Sequence, residues 1–89
     1  MPSPTNKAQD NSIRENVYRV IRENITSLQL APGTTVSTQE LAAKLQVSRT
    51  PVREALIRLE NDQFIKLIPN RGAYVPHVTL NDIIELYQL

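Results

Sequence analysis

Arg49 and Arg53 stand one helical turn apart in the run Val47-Ser48-Arg49-Thr50-Pro51-Val52-Arg53-Glu54-Ala55-Leu56. Guanidinium groups at that spacing share one face of a helix and act together on an anionic or hydrogen-bonding surface. Ser48 and Thr50 add hydroxyls at the start of the same helix. There, unpaired backbone N–H groups and the positive end of the helix dipole favour phosphate. In a helix that enters a DNA groove, the first residues are the ones that reach base edges. The chemistry implied is recognition of a nucleic acid.

The helix that must carry these groups has a clear start. Ser48 is an N-cap type whose hydroxyl can accept a bond from a first-turn N–H, and Pro51 suits a turn whose N–H groups lack helical partners. Val52, Ala55, Leu56 and Leu59 then recur at helical spacing, so one stripe faces a core while the two arginines face away. Ahead of it, Ser37-Thr38-Gln39-Glu40 has capping-box form and opens a shorter helix with Leu41, Ala42 and Leu45 inward. Gln46-Val47 makes the turn between the two, with Val47 plugging the corner. Residues 37–56 therefore read as a helix-turn-helix.

A first helix is expected from the Ser12-Ile13-Arg14-Glu15 capping box onward, its inner face formed by Ile13, Val17, Val20, Ile21, Ile25 and Leu28. Pro32-Gly33 ends that region, and Thr34-Thr35-Val36 reads as a very short strand. After Asp62, Phe64 to Ile68 and Ala73 to Val75 are strand-forming runs around the turn signal Pro69-Asn70-Arg71-Gly72. They predict a β-hairpin wing over residues 64–76, resting its Ile65, Leu67 and Val75 side on the helices. The fold class expected is α+β and mainly helical: a winged helix-turn-helix of three helices plus a two-stranded wing. Tyr74 and Tyr87 read as packing residues. Residues 1–11 read as a flexible polar tail. Residues 78–89 read as a linker and the start of a further helical domain, the alternative being a final helix that packs on a dimer partner, because Ile83, Ile84, Leu86, Tyr87 and Leu89 surround much of that helix's circumference and call for cover.

Composition narrows the alternatives. A chain of 89 residues holds one small domain. Its formal charge of +1 implies nothing by itself, but the distribution does. Residues 44–71 hold Lys44, Arg49, Arg53, Arg58, Lys66 and Arg71 against Glu54, Glu60 and Asp62. With no cysteine there is no disulfide, thiol catalysis or zinc finger, and His77 alone makes no metal site. No segment has the length of a membrane span, and the beginning of the chain lacks a secretory pattern, so no membrane partner and a cytoplasmic location are expected. A nucleophile–base pair and a glycine-rich phosphate loop are both missing, so an enzyme is not expected.

The run Leu41-Ala42-x-x-Leu45-x-Val47-Ser48-Arg49-Thr50-Pro51-Val52-Arg53-Glu54-Ala55-Leu56-x-x-Leu59, with the Pro69-x-Arg71-Gly72 wing, resembles the DNA-binding domain of bacterial GntR-type transcriptional regulators. The resemblance covers residues 12–77. The Asp82-Ile83-x-Glu85-Leu86-Tyr87 continuation is similar to the entry into the effector-binding helical domain of the FadR-like branch. It implies that Arg49 and Arg53 read bases, that Ser48 and Thr50 contact phosphate or base, and that Asn70, Arg71 and Gly72 approach the minor groove. Gln39 occupies a position that is commonly basic in the family and keeps hydrogen bonding without the charge. Gln63 stands where the family often has glycine: either its backbone is left-handed and strained by roughly 1–2 kcal/mol, or the helix ends differently here. An arginine fork can bond N7 and O6 of guanine together, a geometry lysine does not copy. The implied partner is a palindromic double-stranded operator bound by a homodimer. No cofactor is expected in these residues, a small-molecule effector or metal being left to the further domain. The competing reading is a winged helix that binds an acidic protein partner.

Overall fold

The computed structural model describes residues 7–77. The elements run α1 (Lys7–Thr26), β1 (Thr35–Ser37), α2 (Thr38–Leu45), α3 (Arg49–Asn61), β2 (Lys66–Ile68) and β3 (Gly72–Tyr74). The twelve residues expected to open a further domain lie outside the described part, as does the first half of the expected tail. Among the described residues, no helix is long and apolar enough to cross a membrane.

Helix α1 begins earlier than the sequence pattern suggests. It takes in Lys7 to Asn11, residues expected in the tail, so Ser12 sits inside the helix instead of capping it. No proline or glycine separates Lys7 from Ser12, and Lys, Ala and Gln are good helix formers. At its other end the helix stops at Thr26, and Leu28 adopts a left-handed backbone with φ 66°. That break removes Leu28 from the periodic stripe, leaving it 68% exposed where an inward position was expected.

The core lies where α1 and the sheet cover the inner face of α3. Val52, Ala55, Leu56 and Leu59, the stripe expected from spacing, are all buried. Val17 and Ile21 meet them from α1, Ala42 from α2, and Ile65, Ala73 and Val75 from the wing. Polar ties register α1 on α3: Arg14 Nη1 reaches Glu54 Oε2 at 3.0 Å, and Arg58 Nη1 reaches Glu15 Oε1 at 2.5 Å. Tyr18, overlooked in the sequence, is buried beside this seam and donates its hydroxyl to Asp62. That bond, with burial and the charge of Asp62, raises the tyrosine above its ordinary ionisation range. The Arg58 guanidinium stands over its ring, 4.0 Å from the centroid.

The wing is not a lone hairpin. Strand β3 sits between β1 and β2 in an antiparallel sheet ordered β1-β3-β2. Thr35, Val36 and Ser37 pair with Tyr74, Ala73 and Gly72, while Lys66, Leu67 and Ile68 pair with the same three from the other side. A two-stranded hairpin is marginal in water, and the third strand anchors it to the start of α2. Because successive strand residues alternate between faces, burial of Ala73 and Val75 turns Tyr74 outward, and it is 39% exposed instead of packed.

The connection from α3 into the wing carries strain. Gln63 has φ 68°, the left-handed alternative of the two open from sequence. Gln63→Gly is therefore expected to raise stability by about 0.5–1 kcal/mol, the strain relieved less the extra freedom glycine gives the unfolded chain. Urea unfolding checks this; an unchanged midpoint would show the surroundings already accommodate the side chain.

Candidate nucleic-acid interface

Two tight local structures set the outer faces of α2 and α3. Ser37 caps α2, its hydroxyl accepting from the Glu40 N–H at 3.2 Å. The helix ends on Gln46 at φ 60°, and Val47 N–H bonds Ala42 O at 3.0 Å, which turns the chain sharply into Ser48. Val47 packs against the core at that corner. With the turn held and the apolar stripe of α3 buried, Arg49 and Arg53 have only the outer face to occupy, and both are exposed.

Opposite them stands the wing tip. Pro69 and Asn70 form a turn closed by Arg71 N–H to Ile68 O at 3.1 Å, with Asn70 at φ 63°. Positive φ at the third residue of such a turn is met by glycine or asparagine. The carbonyl of Arg71 accepts from Thr38 N–H at 3.2 Å, which ties the tip to the first turn of α2. Arg71 itself projects into solvent.

Between α3 and the wing lies a groove of about 750 Å³. Of the residues expected to act together, Gln39, Arg49, Arg53, Asn70, Arg71 and Gly72 all line it. Ser48 and Thr50 do not; they are exposed at the N-terminal end of α3, beside the groove. Gly72 is buried, and its residue type answers to packing: a Cβ there would stand 2.0 Å from Val36 O. Ile57 also lines the groove, although it was not singled out from the sequence. Its signal was available, since it follows Arg53 by one turn and shares that face.

The charge arrangement is lopsided. Among the described residues, the two salt bridges join Arg14 to Glu54 and Arg58 to Glu15, both on the α1 side of α3. Arg49, Arg53 and Arg71 take part in neither. Glu54, the acidic neighbour of Arg53, is thus engaged away from the groove, leaving the guanidinium groups on both rims outside the salt bridges of the described residues.

One expected bond does not form. Ser48 occupies the N-cap position of α3 with an extended backbone (φ −74°, ψ 169°), but its hydroxyl makes no capping bond. Residue type favours a cap without fixing the side-chain rotamer, and the hydroxyl remains available to an outside acceptor. Ser48→Ala should therefore leave the melting temperature nearly unchanged, whereas Ser37→Ala should cost about 1 kcal/mol. Equal losses in paired thermal melts would contradict this assignment.

Comparison with known proteins agrees with this architecture. The family described as "Bacterial regulatory proteins, gntR family" matches residues 13–75. The HTH-type transcriptional repressor RspR of Escherichia coli (strain K12) is 37% identical over 71 residues, which are 80% of this chain and 31% of the repressor. The chain thus spans about a third of the length of that relative. A solved GntR regulator from Rhodococcus sp. RHA1 superposes with a TM-score of 0.79 at 36% identity, covering 86% of this chain and 37% of that one. E. coli McbR/YncC superposes with a TM-score of 0.77 at 30% identity, covering 85% and 36%. The relatives are regulators, in line with the expectation that no enzyme is encoded here. On the family match, and on a three-helix fold with a small antiparallel sheet shared with these structures, the chain belongs to the GntR family of bacterial regulatory proteins.

Proposed function

We propose that this chain is the sequence-specific DNA-binding domain of a bacterial transcriptional regulator. The observation that carries the reading is the pair of basic rims: Arg49 and Arg53 on one side of a groove and Arg71 on the other, none held in a salt bridge among the described residues. Helix α3 enters the major groove by its N-terminus, Arg49 and Arg53 reading base edges while Ser48 and Thr50 hold phosphate. Asn70 and Arg71 meet the minor groove or its backbone, and the Gly72 backbone lets the wing fold tightly behind them. Gln39, exposed in the first turn of α2, bonds the backbone on the near side without adding charge.

One domain of this size contributes too little contact for tight specific binding, so two copies act on a palindromic operator. In this reading the regulator is cytoplasmic. A small molecule or metal bound elsewhere in a longer protein sets when the operator is occupied, and these residues need no cofactor.

The test is titration of duplex DNA across a salt series. Affinity should fall steeply with salt, and Arg71→Ala should weaken binding similarly on all sequences while reducing the log–log slope by about one. Salt-insensitive binding, or affinity for acidic peptides in place of DNA, would point to the protein-partner reading.

A further inference from the structure

The groove between α3 and the wing has basic rims, and apolar side chains line it among polar ones. Ile57 is 45% exposed there, and half-buried Leu67 and Ile68 also line the groove. An exposed isoleucine on the outer face of a helix gains by being covered. The charge of Arg49, Arg53 and Arg71 says that what covers it is polyanionic. A DNA strand meets both demands, with phosphates for the rims and C–H-rich sugars for the isoleucine.

Position along the helix selects the sugar over the base. Ile57 lies about 12 Å along the axis from Arg49, at roughly 1.5 Å rise per residue. The major groove is only about 8.5 Å deep. When α3 enters by its N-terminus and Arg49 reaches base edges, Ile57 stands at the level of the backbone. Moreover, if α3 occupies the major groove and the wing the minor, the strand dividing the two must run through the cleft between them.

We infer that Ile57 seats deoxyribose of that dividing strand, so that the chain rejects a 2′-hydroxyl at this place. The inference rests on the docking proposed above. A ribose at the same point would bring a hydroxyl against hydrocarbon that offers it no hydrogen-bond partner. Ile57 thereby determines the kind of sugar accepted and leaves the base sequence to the arginines.

The experiment uses the whole chain and a tight-binding duplex recovered from random DNA. One ribonucleotide is placed at each position in turn, and a parallel series replaces each thymidine by deoxyuridine. The expected result is a loss of about tenfold at one or two positions on one strand of each half-site. Ile57→Ser should reduce that loss to within about twofold while helicity by circular dichroism stays unchanged, because serine supplies a partner for the hydroxyl. A ribonucleotide penalty that is absent, or that persists unchanged in the serine variant as sugar pucker alone would make it, overturns the inference. Deoxyuridine penalties abolished by Ile57→Ser would also overturn it, since they show contact with thymine methyl groups. Failure of the chain to bind any duplex would instead sink the DNA reading beneath it.

Discussion

Replacing Arg53 by alanine should weaken binding to a preferred duplex by about 1–3 kcal/mol and erase the preference at one base position per half-site. Arg49→Ala should do the same at a neighbouring position. Both side chains are exposed on the outer face of α3, opposite its buried stripe, so neither variant should alter folding by more than about 0.5 kcal/mol. The size of the binding loss follows from the lack of competition. Glu54 is held by Arg14 at 3.0 Å on the α1 side of the helix, and among the described residues Arg53 joins no salt bridge that it must leave before it meets a base. Lysine at either position should restore part of the affinity but not the base preference, because an ammonium cannot match two acceptors in one plane. If lysine restored both, the arginines would be acting as point charges and the readout would lie elsewhere.

Gly72→Ala should damage the fold severely, costing about 3 kcal/mol or more. A Cβ at this position would lie 2.0 Å from Val36 O and 3.0 Å from Ser37 Cα, and both obstacles are backbone. Relief requires β1 to move away from β3. That would break the Ser37–Gly72 pairing and loosen the bond from Thr38 N–H to Arg71 O that ties the wing tip to α2. At roughly 4–8 °C per kcal/mol for a domain of this size, the melting temperature should fall by more than about 10 °C. Gly33 supplies the control. Its φ is +89°, yet the nearest obstacle to a Cβ is the exposed imidazole of His77 at 2.9 Å, which can swing aside. Gly33→Ala should therefore cost only its backbone strain, roughly 1–2 kcal/mol. Equal losses for the two alanines in thermal melts would mean that contact with β1 is not what makes Gly72 necessary.

How much of this was legible in the sequence depends on what kind of signal each residue carries. The stripe Val52, Ala55, Leu56 and Leu59 was readable because burial at a 3.6-residue period is a collective property that no single rotamer upsets. The turn at Gln46-Val47 was readable because two helix starts, marked by Ser37 and Ser48, left few ways to join the helices. The start of α1 was not, since a Ser-x-x-Glu pattern can also occur inside a helix. Leu28 was misplaced because its stripe assumed that the helix continued past Thr26. The joining of β1 to the wing was hidden for a different reason. Three residues make too short a strand to declare a partner, and only the absence of a side chain at Gly72 allows the close approach. Tyr18 was missed because aliphatic residues defined the inner face of α1, although Arg14, Tyr18, Ile21 and Ile25 follow the same helical spacing. In the groove, residue types and spacing pointed to Arg49 and Arg53, and the family resemblance to Gln39, Asn70 and Arg71; the fold gathers all five around one space. The role of Gly72 in packing and the exposure of Ile57 depend on the tertiary structure.

The central claim is that the outer face of α3 chooses the DNA sequence. Its most direct test is selection from random duplexes by the wild-type chain, Arg49→Ala and Arg53→Ala in parallel. The wild type should recover a two-fold symmetric motif with guanine at defined places in each half, and each variant should lose one of those places while keeping the remainder. Recovery of the same motif by all three proteins would contradict the assignment of sequence choice to Arg49 and Arg53.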